Sequence, residues 1–243
     1  MYRTKNSRSL KTVIITGVSK GIGHALAEHY GANGYQVLGL SRTEPEQMII
    51  ASNFRWYRVD ITNEKDVKSF FREIRKEGIK PYALINNAGV ASLNALSTTP
   101  LSTVQHIFNT NVNGTFLMMK EAAKMMVLNN LGRIVNFSSV AYPLQIEWES
   151  AYSASKAAIE SFSKTAAREW ATSGITVNIV GPGPVETDLV KNVGDKRLDY
   201  LLDKMPISEV NTFDDVANVC DFFLIERSAK ITGQVIYLGG ASQ

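Results

Sequence analysis

Short apolar runs rich in β-branched residues alternate with stretches of helical spacing along the whole chain, beginning with Thr12-Val-Ile-Ile-Thr16. The pattern predicts strands at 12–16, 35–40, 56–59, 83–86, 133–137, 176–180 and 235–238. It predicts helices at 22–33, 63–77, 102–129, 151–172, 189–204 and 213–227, with Asn63 as an N-cap and Gly34 and Gly78 as stops. Strands separated by helices need crossover connections, which produce a parallel sheet covered on both faces. Near-continuous apolar strands suit such a sheet, because neither face meets water. The expected fold class is therefore α/β, one doubly wound parallel sheet with helices on both faces. Sheets of this kind bind ligands at the carboxyl ends of their strands, so the polar residues just after each strand carry the functional information.

Composition excludes several other classes. With 243 residues, 44% hydrophobic and 20% charged, the chain can bury a large core without staples. Its one cysteine, Cys220, forbids an intramolecular disulfide framework and is expected as a buried helix residue. No apolar run reaches the ~18 residues of a membrane span. The start of the chain carries no apolar signal segment, so a cytoplasmic protein is expected. Arg3, Lys5, Arg8 and Lys11 account for the net charge of +3, because the remaining 22 cations face 23 acids. The basic character thus belongs to the first eleven residues, of which 1–10 are expected to be a disordered tail, and not to a nucleic-acid-binding face. Residues 11–243 form the predicted domain. His24, His29 and His106 lack the spacing of metal ligands, so no metal is expected.

The first strand is followed by Gly17-Val-Ser19-Lys20-Gly21-Ile22-Gly23 and then a helix. Glycines permit a tight turn and close backbone approach, and a helix N-terminus offers free N–H groups to a pyrophosphate. An acid at the end of the second strand would bind the ribose hydroxyls of NAD. Here Ser41-Arg42 stands in that place, and Lys20 is a second cation nearby. Two cations and no acid suit a 2′-phosphate, which makes NADP(H) the expected cofactor.

Tyr152 and Lys156, in Tyr-Ser-Ala-Ser-Lys, share one helix face at i, i+4. A nearby ammonium favours a phenolate and would lower the tyrosine pKa from about 10. Ser138-Ser139 follows the fifth strand, with Ser139 thirteen residues before Tyr152. Asn86-Asn87-Ala88-Gly89 ends the fourth strand, Asn111 lies in the long helix, and Gly181-Pro182-Gly183-Pro184 ends the sixth strand.

In order and spacing, these motifs resemble the short, one-domain branch of the short-chain dehydrogenase/reductases, from about Lys11 to Gly240. The resemblance implies a Rossmann-type fold and an NAD(P)-dependent oxidoreductase that moves a hydride between nicotinamide and a ketone or secondary alcohol. It implies that Tyr152 donates or accepts the proton, that Lys156 lowers the tyrosine pKa and binds the nicotinamide ribose, and that Ser139 bonds the substrate oxygen. Asn111 would hold a water of the proton relay. Asp60, followed by Ile61, would bond the adenine, and Asn87, Ala88 and Gly89 would line the adenosine side. Pro182, Val185 and Thr187 would meet the nicotinamide end, and 187–206 would form a lid. Family members commonly form tetramers, so a homo-oligomer, tetramer or dimer, is expected.

The substrate is less constrained. The family's 3-oxoacyl carrier-protein reductases dock their acidic carrier on two arginines, where this chain has Asn130 and Ser173. That weighs against an acyl carrier protein as partner and toward a small polar ketone. Glu147 and Trp148, with Glu149, could grip a hydroxylated or cationic molecule, the indole serving as a stacking platform. Alternatives are a carrier-protein reductase and a non-catalytic NADP-binding sensor or scaffold, although a scaffold needs no proton relay.

Overall fold

The computed structural model describes residues 10–49, 51–186 and 194–240. Seven strands form one parallel sheet: β1 (Thr12–Thr16), β2 (Gln36–Ser41), β3 (Phe54–Arg58), β4 (Pro81–Asn86), β5 (Gly132–Phe137), β6 (Ile175–Gly181) and β7 (Val235–Tyr237). Their order is β3-β2-β1-β4-β5-β6-β7. The five strands β1, β2, β4, β5 and β6 are almost wholly buried, as their unbroken apolar runs require. The edge strand β3, Phe-Arg-Trp-Tyr-Arg, keeps both arginines exposed and starts two residues earlier than its apolar run suggests.

Helices cover both faces. On one side α1 (Gly21–Ala32) packs Leu26, Ala27 and Tyr30 against the sheet and against a late helix at Phe213–Leu224. On the other side lie α2 (Glu64–Lys76), α4 (Thr115–Val127) and α5 (Ser150–Glu169). Helix α2 shows how sequence sets this layer. Val67, Phe70, Phe71 and Ile74 recur at helical spacing and are buried. The Asn63 side chain accepts from the Lys65 N–H, acids occupy the first turn and Arg75 and Lys76 the last. Burying each large apolar side chain contributes ~1.5–3 kcal/mol. Met118, Met119, Met125 and Met126 are buried in this layer and therefore serve as core. Cys220 is buried in the opposite layer, where burial pushes its thiol pKa well up.

The stretch predicted as one helix at 102–129 is three segments: α3 (Leu101–Ile107), a π-helical stretch at Phe108–Gly114, and α4. A π-helical turn is wider than an α-helical one, and such segments recur at functional sites. Two contacts fix it here: Gly114 packs flush on Ile61, and the Asn111 side chain is held by neighbouring elements. Helix α5 stops at Glu169 because 171–173 tighten into a 3₁₀ turn closed by Gly174 at φ +69°. Of the helix predicted at 189–204, the described part is α6 (Asp195–Asp203). The late helix, α7, ends at Leu224, three residues short of expectation, and a 3₁₀ turn follows at Glu226–Ser228. Between β1 and β4 the strand order reverses, which opens a crevice at the carboxyl end of the sheet. Among the described residues no helix is long and apolar enough to cross a membrane, and no three His, Cys, Asp or Glu are grouped to hold a metal.

Candidate active site

A cavity of about 790 Å³ occupies that crevice. Its floor at one end is the turn from β1 to α1. Gly17 and Gly21 take φ of +77° and +61°, a left-handed backbone that favours glycine. A Cβ on Gly17 would stand 2.9 Å from the Ala88 Cα, and one on Gly23 would stand 2.2 Å from the Gly17 carbonyl oxygen. Bare backbone is therefore obligatory, and it faces the cavity beside the uncapped N-terminus of α1. This is a fit for the pyrophosphate of a dinucleotide. Asn87 and Ala88 brace the turn from β4: Asn87 Nδ2 donates to the Thr16 carbonyl at 3.1 Å, and the Ala88 N–H donates to Thr16 Oγ1 at 3.0 Å.

Ser19, Lys20, Gly21, Ile22, Arg42, Asp60, Ile61, Asn87, Ala88 and Gly89 all line this half. The Ser41 hydroxyl is consumed, donating to the Thr43 carbonyl and accepting from Trp56 Nε1. Lys20 lies 3.2 Å from the Glu46 carboxylate. Among the described residues Arg42 has no ionic partner. One oxygen of Asp60 caps its own turn, accepting from the Thr62 N–H and hydroxyl.

The other half gathers Ser139, Tyr152 and Lys156 with Pro182 and Val185. Ser139 comes from just after β5 and Tyr152 and Lys156 from the first turns of α5; the Ser139 hydroxyl accepts from the Ala141 N–H at 3.2 Å and lies near enough to the Tyr152 phenol to act on its pKa. Lys156 is buried and donates from Nζ to the Phe137 carbonyl at 2.8 Å. Burial holds the Lys156 pKa down at about 8. Burial also pushes the Tyr152 phenol up to about 12, opposed by the Ser139 hydroxyl and aided by the Glu149 carboxylate. The direction is opposite to that expected from the ammonium, because desolvation of the buried phenol is the largest influence on it. Thr187 lies outside the described residues, as does 187–193 of the expected lid.

Asn111 stands behind this group. Its Nδ2 donates to the Val90 carbonyl and to Ser155 Oγ, and its Oδ1 accepts from the Val90 N–H, all within 2.8–3.0 Å. The side chain is thus a brace between the β4 loop and α5, with both amide hydrogens in use.

Glu147 and Trp148 are not brought into the cavity. Trp148 takes φ +67°, which turns the segment so that its 59%-exposed indole lies under the Arg197 guanidinium at 5.1 Å. Glu147 binds Tyr200 Oη and lies 3.8 Å from Lys204. Both therefore grip α6 and its end. Glu149 is the residue of this loop that lines the cavity, 3.3 Å from Arg197. Leu198 and Leu201 of α6 close the same side with apolar surface. Composition alone did not separate Glu149 from Glu147; the left-handed residue between them does. Asn211, unremarked in the sequence, accepts from the Gly183 N–H and fixes the loop after β6.

Comparison with known proteins agrees with this fold. A family model described as enoyl-(acyl carrier protein) reductase matches residues 17–241. The 3-oxoacyl-acyl-carrier-protein reductase of Escherichia coli (strain K12) is 31% identical over 234 residues, covering 95% of this chain and 96% of its own. The solved structure of ElxO with NADP bound superposes with a TM-score of 0.87 at 31% identity, over 94% of this chain and 97% of that one. The ligand-free aldohexose dehydrogenase of Thermoplasma acidophilum gives a TM-score of 0.87 at 29% identity, over 95% and 93%.

Proposed function

The chain belongs to the short-chain dehydrogenase/reductase family of oxidoreductases, and from that premise we propose that it is an NADP(H)-dependent reductase of small hydroxylated ketones. The reverse direction would oxidise the corresponding secondary alcohol. The observation that carries the reading is the meeting, in one cavity, of Ser139, Tyr152 and Lys156 with a bare glycine cradle and Arg42.

Arg42 supports NADP over NAD. It stands at the end of β2 where an acid would select NAD, and no acid is paired with it among the described residues. Lys20 is partly neutralised by Glu46, so Arg42 would bear most of the 2′-phosphate recognition. ElxO, at 31% identity, has been solved with NADP bound.

When bound, the nicotinamide supplies or takes the hydride. The chain's own residues manage the oxygen. A phenol pushed up to about 12 is protonated throughout the neutral range, which suits Tyr152 to donate a proton to a ketone oxygen as charge grows there. Ser139, beside the same phenol, would share that oxygen. The phenolate left behind would be stabilised by the Lys156 ammonium, 5.4 Å from the ring centre.

Glu149 supports the substrate class. The Glu149 carboxylate on the wall beside Tyr152, one oxygen of which pairs with Arg197, would accept from substrate hydroxyl groups. Leu198 and Leu201 would cover the apolar part of such a molecule. The identity to the Escherichia coli enzyme favours a second reading, reduction of 3-oxoacyl groups on acyl carrier protein. Asn130 and Ser173, near the opposite end of β5 and β6, give an acidic carrier no charge there. A homo-oligomer is part of either reading, and sedimentation tests it.

The test is NADPH oxidation with a panel of hydroxyketones, their deoxy counterparts and a 3-oxoacyl carrier protein, with NADH as control. The proposal expects turnover of hydroxyketones with NADPH. Fast turnover of the carrier-linked substrate alone would replace it with the second reading.

A further inference from the structure

A buried carboxylate that the reaction does not use lies one turn beyond Lys156 on α5. Glu160 is 2% exposed. Its Oε1 accepts from Ser138 Oγ at 2.6 Å and from Tyr237 Oη at 2.5 Å, while Oε2 lies 3.5 Å from Lys164 Nζ. A buried carboxylate is retained at a cost unless its partners are well placed, and here one oxygen takes two short bonds.

Those two donors come from separate strands. Ser138 directly precedes Ser139, and its N–H is tied to the Val180 carbonyl of β6 at 2.8 Å. Tyr237 ends β7, and one edge of its ring packs against Gly181, where any Cβ would stand 2.3 Å from Cδ1. Gly181 leads into Pro182 and Gly183 of the cavity wall. A single carboxylate oxygen therefore ties the ends of β5 and β7, and through the Tyr237 ring the end of β6, to the helix that carries Tyr152 and Lys156.

We propose that Glu160 is a positioning residue for Ser139: it holds the Ser138 hydroxyl, and Tyr237 orients it, so that Ser139 meets the Tyr152 phenol at the height where both can share one substrate oxygen. Glu160 itself does not line the cavity. Misplacement of a catalytic group by about 1 Å is worth ~100-fold in rate, so modest slack in this tie should act on kcat. The inference rests on the reductase reading for its kinetic consequence, though not for its structural one.

The experiment uses the full-length protein and four variants. Ser138→Ala removes one hydroxyl, Glu160→Leu removes the carboxylate, Glu160→Gln keeps the acceptor oxygen, and Ser139→Ala is the reference for losing the Ser139 hydroxyl beside Tyr152. The first readout needs no substrate: the ¹³Cζ resonance of Tyr152 in tyrosine-labelled protein, assigned with Tyr152→Phe. Ser138→Ala and Glu160→Leu should move that resonance in the direction of Ser139→Ala, and Glu160→Gln should leave it near wild type. The second readout is steady-state kinetics on the best ketone. Ser138→Ala should lower kcat ~10-fold with KM for NADPH unchanged, and the Glu160→Leu/Ser138→Ala pair should be no worse than Glu160→Leu alone. An unmoved Tyr152 resonance in folded Ser138→Ala, or additive losses in the pair, overturns the assignment. A protein that turns over no ketone refutes the reductase reading, while the resonance still decides the role of Glu160.

Discussion

The Lys156 ammonium lies 5.4 Å from the centre of the Tyr152 ring and donates to the Phe137 carbonyl at 2.8 Å. Burial acts on the two groups in opposite senses, lowering the lysine to about 8 and raising the tyrosine to about 12. Each shift favours the neutral form, the ordinary consequence of desolvation. The first prediction concerns pH. Reduction needs a protonated phenol and an ammonium, so the free enzyme's kcat/KM should be flat through neutrality and fall above about pH 8 as Lys156 loses its proton. A pH–rate profile in the direction of ketone reduction checks this.

The same shift makes a statement about stability. Between about 8 and the ordinary lysine value of 10.5, the unfolded chain binds the Lys156 proton that the folded chain has lost. Stability from this group therefore rises with pH across that window and is lowest below it. Lys156→Met should melt higher than wild type at pH 7 while losing activity, and the gap should narrow toward pH 10. Calorimetry at the two pH values measures it.

Cofactor choice should turn on Arg42. Replacing a charge-assisted contact to phosphate costs ~1.5–3 kcal/mol, or roughly 10- to 150-fold. Arg42→Ala should raise KM for NADPH by about that factor and leave NADH use nearly unchanged. Lys20→Ala should do less, because Glu46 already engages that ammonium. Parallel titrations with the two cofactors separate these outcomes.

The glycine cradle predicts a contrast between two glycines. Gly23→Ala drives a methyl to within 2.2 Å of the Gly17 carbonyl oxygen, so the turn must shift, at ~1–3 kcal/mol and with loss of NADPH binding. Gly34, at φ +78°, has nothing within 4 Å of an added Cβ. Gly34→Ala should therefore cost only backbone strain of ~1–2 kcal/mol and keep NADPH affinity. Fluorescence titration of NADPH with thermal melts tests both.

Substrate choice should turn on Glu149. Glu149→Gln leaves the Arg197 guanidinium without its carboxylate yet keeps an acceptor, so it should admit anionic ketones and retain hydroxyketones. Glu149→Leu should lower kcat/KM for a hydroxyketone ~10-fold more than for its deoxy counterpart, the worth of a hydrogen bond to a charged group.

Much of this was legible in the sequence because it is local. The glycine turn, the Tyr152–Lys156 spacing, the strand ends at Asn87 and Ser139 and the Asn63 cap each depend on a few adjacent residues. Three features were not legible, for one shared reason. The direction of the 147–149 loop depends on a left-handed Trp148 stabilised by Arg197, almost fifty residues away. The π-helical turn around Asn111 depends on Ile61 and Val90. The Glu160 tie depends on Tyr237, 77 residues on. Apolar periodicity records none of these long-range contacts. The reversal of the Tyr152 shift belongs with them, since spacing shows the ammonium and not the depth of burial.

The most direct test of the account is Tyr152→Phe, assayed for NADPH binding and for single-turnover reduction of the best hydroxyketone. Loss of the hydroxyl removes the proton donor and leaves the glycine cradle and Arg42 untouched. The account predicts NADPH affinity within about two-fold of wild type and reduction slowed by ~100-fold or more, the scale of general acid catalysis. Reduction at the wild-type rate would contradict it, because the proton would then reach the substrate oxygen from another group.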